Sequence, residues 1–133
     1  MNIVKIEETF VSPIEDIWDL LTNLDHQGWR SQLDRIEKLD NHRFIEYDNE
    51  GYQTEFIILN KIKYETYEFN MKNNNIEGHW IGKLKTLPNG RVHLEMTEAI
   101  QVKKKIMQLF ANKYLKKQQK QFIIDLKKAL KEE

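Results

Sequence analysis

From Lys103 to Lys131 the chain contains neither Gly nor Pro, and its apolar residues recur at three- and four-residue spacing. As an α-helix such a run is about 40 Å long at 1.5 Å per residue. Met107, Ala111, Tyr114, Leu115, Gln118, Phe122, Leu126, Ala129 and Leu130 project onto one face, and Lys113, Lys116, Lys117, Lys120, Lys127, Lys128 and Lys131 gather opposite. A helix with one apolar stripe must bury it against something else. Residues 1–102 therefore have to supply an apolar surface nearly as long as the helix, and that requirement narrows the fold more than any other feature.

Those residues read mostly as strands. Val4 to Val11 is strand-like and stops at Ser12-Pro13-Ile14-Glu15, where Ile14, Ile17, Trp18, Leu21 and Leu24 take up helical spacing. Ser12 is placed to cap this helix, Pro13 suits its first position and Glu15 completes a capping box. Asp25 to Gly28 breaks the pattern, and Trp29-Arg30 falls in a connection. A weak strand around Ile36 to Leu39 precedes clearer ones at His42–Asp48, Tyr52–Leu59, Ile62–Met71 and Ile76–Leu87. Asn60-Lys61 is the expected turn between the middle pair, and Pro88-Asn89-Gly90 is a strong turn signal. Val92, Leu94, Met96, Ile100 and Val102 then alternate with polar residues. Consecutive strands with short connections predict an antiparallel meander. Such a sheet wets one face and covers the other, and a long helix gripped by it leaves a gap unless large side chains fill it.

Composition excludes several classes. There are 21 basic and 21 acidic residues among 133, but residues 103–133 hold 10 lysines against 3 acids, so the helix is basic and the body acidic. The absence of cysteine rules out disulfides and thiolate metal sites. No signal peptide or apolar run of membrane-spanning length is found, so the expected location is cytoplasmic. His79 and His93 fall about 20 Å apart along their hairpin and make no metal site. The lysine face could contact anionic lipid or nucleic acid, but it lacks arginine and aromatic interleaving and the chain ends in Glu132-Glu133, so it reads as a solvated outer face, with neither nucleic-acid binding nor stable membrane insertion expected. The chain is expected to form one domain over 1–133, to need no cofactor, and to be a monomer or weak homodimer.

In order and spacing, Ser12-Pro13-Ile14-Glu15-Asp16-Ile17-Trp18, Leu20 to Asp25, Trp29, Gly78-His79-Trp80-Ile81-Gly82, the Pro88–Val92 turn and Met96-Thr97-Glu98 are informative together. With the terminal helix, they resemble the helix-grip (START-like, SRPBCC) superfamily, in particular its polyketide cyclase/dehydratase-like branch. The resemblance implies an α+β fold, a seven-stranded antiparallel curved sheet around the C-terminal helix, with two small helices after the first strand. It also implies an internal cavity holding a hydrophobic small molecule, with cyclisation or dehydration as the enzymatic alternative. A protein-interaction module with a filled interior is a third possibility.

The candidate cavity residues are Trp29, Phe56, Phe69, Trp80, Met96, Tyr114 and Phe122 for shape, and Gln118 for a buried amide. Glu8 and Glu98 each interrupt an apolar strand face and are the candidate acid–base pair. A register setting Val4 opposite Val102 would place them opposite each other, so that one would retain its proton. The alternative is that a bulge turns one to solvent or that a lysine or arginine neutralises it.

Overall fold

A computed structural model describes residues 1–132; Glu133, part of the acidic end noted in the sequence, lies outside the described residues. The chain runs β1 (Asn2–Phe10), α1 (Ile14–Thr22), β2 (Leu33–Lys38), β3 (Arg43–Asp48), β4 (Gln53–Ile62), β5 (Thr66–Lys72), β6 (Ile76–Thr86), β7 (Val92–Val102) and α2 (Lys105–Ala129). The strands form one antiparallel sheet in the order β1-β7-β6-β5-β4-β3-β2. It is a meander whose first strand returns beside its last. The inner face of β1 and β7 carries Val4, Phe10, Val92, Leu94, Met96 and Ile100, all nearly inaccessible. α2 lies along that side of the sheet, in contact with β1 above all.

Several local expectations are corrected. One small helix, not two, follows the first strand: beyond Thr22 the chain forms turns. The buried Gln27 amide donates to the carbonyls of Leu20 and Asn23, at 2.8 Å each. It satisfies acceptors that further helix would have needed. Ser12 does not cap α1, whose N-cap position is Pro13 with no side-chain bond. The Ser12 hydroxyl instead donates to Glu132 Oε2 at 2.5 Å, and the amides of Val11 and Ser12 donate to the same carboxylate. The far end of the chain thus fastens the junction at its start.

The turn expected at Asn60-Lys61 lies further on, at Lys63–Glu65, with Tyr64 at φ 66°. Asn60 and Lys61 pair with Glu68 and Tyr67 inside the sheet. A register shift between Ile58 and Asn60 breaks the alternation there, which disguises continuing strand as a turn.

The two glycines flanking Trp80 have steric reasons. A Cβ on Gly82 would sit 2.5 Å from the Trp80 ring, and one on Gly78 would collide with Ile100 Cδ1. The indole lies flat over Gly82 on the inner face.

Candidate functional site

Because α2 covers the β1–β7 side, the remainder of the inner face is left open. A cleft of about 1680 Å³ runs between α2 and strands β3–β7. That exceeds the roughly 300–1,000 Å³ of common small-molecule pockets. Its wall is an aromatic ladder across adjacent strands. Phe44 stacks on Phe56 and Phe69 stacks on Trp80, each with centroids 4.8 Å apart. Phe56 meets Phe69 edge-on at 5.0 Å, and Tyr67 meets Trp80 edge-on at 6.0 Å. Cross-strand pairing places these side chains on one face, since Phe44 opposes Phe56 and Phe69 opposes Trp80.

Within this apolar wall sits a compact polar group. Glu98 on β7 lies opposite both Val4 and Trp80. Burial pushes its carboxyl up to about 7; a hydrogen bond from Gln119 and the nearby Arg30 charge oppose the shift, and Glu46 adds to it. Gln119 Nε2 donates to Val4 O at 3.2 Å and reaches Glu98 Oε1 at 3.4 Å. Arg30 and Glu46 form a bidentate pair, Nη1–Oε2 2.7 Å and Nη2–Oε1 2.9 Å, with side chains 21% and 16% exposed. Burial disfavours the guanidinium charge, but the Glu46 carboxylate more than offsets it, so Arg30 stays charged. Tyr67 is 3% exposed, yet its hydroxyl has no hydrogen-bond partner among the described residues. Burial, and then the Glu46 charge, push that phenol well above the usual tyrosine range. A carboxyl that keeps its proton up to about pH 7, a phenol without a partner among the described residues and an ion-paired guanidinium therefore face one largely apolar cleft.

Of the residues proposed from sequence, Phe56, Phe69, Trp80, Met96, Tyr114, Gln118 and Phe122 line the cleft. Trp29 is not among the lining residues; it packs edge-on against Phe122 at 5.3 Å, with its Nε1 buried and unpaired among the described residues. Gln118 is not the buried amide of the gripping face. It donates to the exposed Tyr114 hydroxyl at 2.7 Å near the mouth, and Gln119 takes the interior position. The helix is turned by about one residue from the projected stripe, so Ile123 and Asp125 are also buried. Asp125 accepts the Ser31 amide and hydroxyl at 2.8 and 2.7 Å, which holds the α1–β2 connection against α2.

Glu8 and Glu98 do not meet. Val4, not Glu8, is opposite Glu98, and Glu8 faces Leu94. Four residues of strand, about 13 Å of backbone, separate Glu8 from the position opposite Glu98. Glu8 lies 3.6 Å from Lys127 Nζ and accepts the Thr9 amide at 2.9 Å. The neutralising lysine considered from sequence is therefore present, and Lys127 turns inward rather than standing on the outer face. The shared-proton pair is overturned, while Glu98 keeps its raised value through burial first and the Glu46 charge second, with no part played by Glu8.

Tyr67, Arg30, Glu46 and Gln119 were not recognised in the sequence. Glu46 stands two residues from Phe44 and Tyr67 two from Phe69, so strand alternation alone placed both on the inner face. Arg30 carried no such signal, because it sits in an irregular connection. On the outer face, ligand atoms of Glu7, His93 and Glu95 lie within 4.8 Å of one another. Lys5 already pairs with Glu95 at 3.3 Å, and His93 bonds Glu7 at 3.1 Å. Glu7 and His93 are 86 residues apart, so no sequence spacing announces the grouping.

No family model matches the sequence, and no curated protein matches it significantly. Solved structures do match over nearly the whole chain. A START superfamily protein from Mycobacterium smegmatis superposes with a TM-score of 0.86 at 8% identity, covering 97% of each chain. A conserved protein from Geobacillus kaustophilus gives 0.82 at 12% identity, over 96% of this chain and 94% of that one. The di-domain ARO/CYC BexL from the BE-7585A biosynthetic pathway gives 0.82 at 7%, over 98% of this chain and 47% of BexL. The chain has the helix-grip fold of START-like and polyketide cyclase-like proteins. At these identities the likeness is one of fold.

Proposed function

We propose that this protein binds a hydrophobic small molecule in the cleft, with an oxygen-bearing end placed at Glu98 and Tyr67. The observation that carries the reading is the unpaired Tyr67 hydroxyl, 3% exposed within an otherwise aromatic wall. A buried donor without a partner costs about 1–3 kcal/mol, and a ligand acceptor removes that cost. The fold supports the same reading, since its START-like neighbours share a scaffold suited to holding such molecules. Phe56, Phe69, Trp80, Met96 and Phe122 provide shape, and Tyr114 and Gln118 stand at the mouth. The open cleft disfavours a filled interaction module.

A catalytic reading draws on Glu98. A single carboxyl with its proton held to about pH 7 suits a general acid for enolisation or dehydration. Glu8 has no part in it, being held at Lys127.

The test is tryptophan quenching by N-phenyl-1-naphthylamine. Binding of micromolar order is expected, and Trp80→Phe should remove much of the quenching because the indole lines the cleft. If the folded protein binds neither this probe nor naphthyl ketones, the proposal is wrong.

A further inference from the structure

The opening turns of α2 present their apolar residues to solvent. Ile106, Leu109 and Phe110 are 73%, 80% and 67% exposed, and no residue of the helix before Ala111 is buried. At 100° per residue these three share the side facing away from Leu115 and Gln119. A helix of a soluble protein ordinarily turns that side out as its polar face. Here the apolar cluster is bracketed along the chain by Lys104 and Lys105 before it and Lys113, Lys116 and Lys117 after it, all exposed. From Ala99 through Ile124 there is no acidic residue. Among the described residues none of these five lysines forms an ion pair. The cluster also adjoins the mouth of the cleft, where Ile106, Met107 and Phe110 form part of the lining.

We propose that this end of α2 docks the protein on an anionic lipid bilayer surface. Ile106, Leu109 and Phe110 enter the headgroup boundary, the bracketing lysines engage lipid phosphates, and the cleft mouth is brought against the membrane. An apolar tip with a cationic surround is the chemistry of an interfacial helix. A second copy is the poorer occupant. A two-fold contact sets the same patch on both sides, so two lysine groups would face each other. Asp48 and Glu50 stand by Tyr114 in the cleft lining, which does not include Leu109. The docking face does not depend on the ligand reading, because Leu109 and the lysines after it lie outside the cleft lining.

Co-sedimentation with lipid vesicles tests the assignment. The protein should sediment with vesicles of phosphatidylcholine mixed with phosphatidylglycerol, and not with phosphatidylcholine alone. Binding should weaken as salt rises. Replacing Lys113, Lys116 and Lys117 together by Glu should lower partitioning by at least roughly a hundredfold, the loss of three attractions to an anionic leaflet before any repulsion is added. Leu109→Ser should lower it severalfold, with the circular dichroism and unfolding midpoint of both variants unchanged. Failure to sediment with mixed vesicles overturns the proposal, as does full binding by the charge-reversed variant. A concentration-dependent dimer in sedimentation velocity that Leu109→Ser abolishes would assign the face to a second copy instead. Probe binding in the cleft is measured without vesicles, so failure here leaves the ligand proposal standing.

Discussion

The opening turns of α2 and the longer part that follows both carry large apolar residues and use them in opposite ways. From Ala111 onward, Leu115, Ile123 and Leu126 are buried, the last completely, while Ile106, Leu109 and Phe110 earlier in the helix stand in solvent. The difference lies in what is beneath them. Gln119 sits over Val4, and Lys127 over Glu8 and Phe10, so helix and strand advance together. From Gln119 back to Ala111 the helix travels about 12 Å at 1.5 Å per residue. β1 has only Ile3 and Asn2 left before its start, about 7 Å. The helix therefore outruns the strand that supports it. The second half is a structural clamp, and the first half overhangs beside the cleft mouth. Burial in this fold is decided by the length of a neighbour as much as by the apolar residue itself.

The comparison is broken most directly by truncating one leucine in each half. Leu126→Ala should cost about 3 kcal/mol in urea unfolding, as a fully buried leucine does. Leu109→Ala should stay within about 0.5 kcal/mol. Equal losses would mean that the first half is clamped as well.

A second expectation concerns Glu98, which the clamp half touches through Gln119. The folded protein holds this proton to about pH 7, whereas the ordinary value is 4.5. Stability is then full below pH 4.5 and declines as pH rises toward 7. Because the cleft admits solvent, the decline should be about 1–2 kcal/mol, on the scale of one pKa unit. Glu98→Gln should abolish the decline, measured by urea unfolding at several pH values. A flat wild-type profile across that window would show that the carboxyl titrates at its ordinary value in the folded protein, and would remove the general-acid reading.

The smallest effect belongs to the end of the chain. Burial tends to raise the Glu132 carboxyl, but hydrogen bonds from Ser12 and Val11 and the nearby Lys127 hold it below its ordinary value. Ser12→Ala should cost no more than about 1 kcal/mol. The stabilisation from the ionised carboxylate should be lost as pH falls below about 4.5, opposite in sign to Glu98. An unchanged midpoint in Ser12→Ala would confine the clamp to its apolar contacts.

Much of the architecture was legible because it is written in periods. Alternation from Val92 to Val102 named the inner face of β7, including Glu98, and the uninterrupted run after Lys103 named α2. The breaks that went astray were those where a local pattern had a non-local cause. Ser12 has the chemistry of a cap, and no local rule says that Glu132 will claim it. Asn60-Lys61 has turn composition, and only the β4–β5 ladder carries it through as strand. The site divided in the same way. Phe56, Phe69, Trp80 and Met96 followed from alternation, whereas Arg30 lies in an irregular connection and is placed by its ion pair with Glu46.

By itself the sequence determined which elements form and which faces are apolar, because backbone sterics and periodicity act over a few residues. The tertiary structure alone decided the pairings between distant elements. It set the β1–β7 register, which parts Glu8 from Glu98 by four residues. It set the rotation of α2, which puts Gln119 inside and Gln118 at the rim. Both are fixed by the packing of whole surfaces, and a shift of one helical position or a few strand residues changes no local preference while exchanging every partner in the cleft.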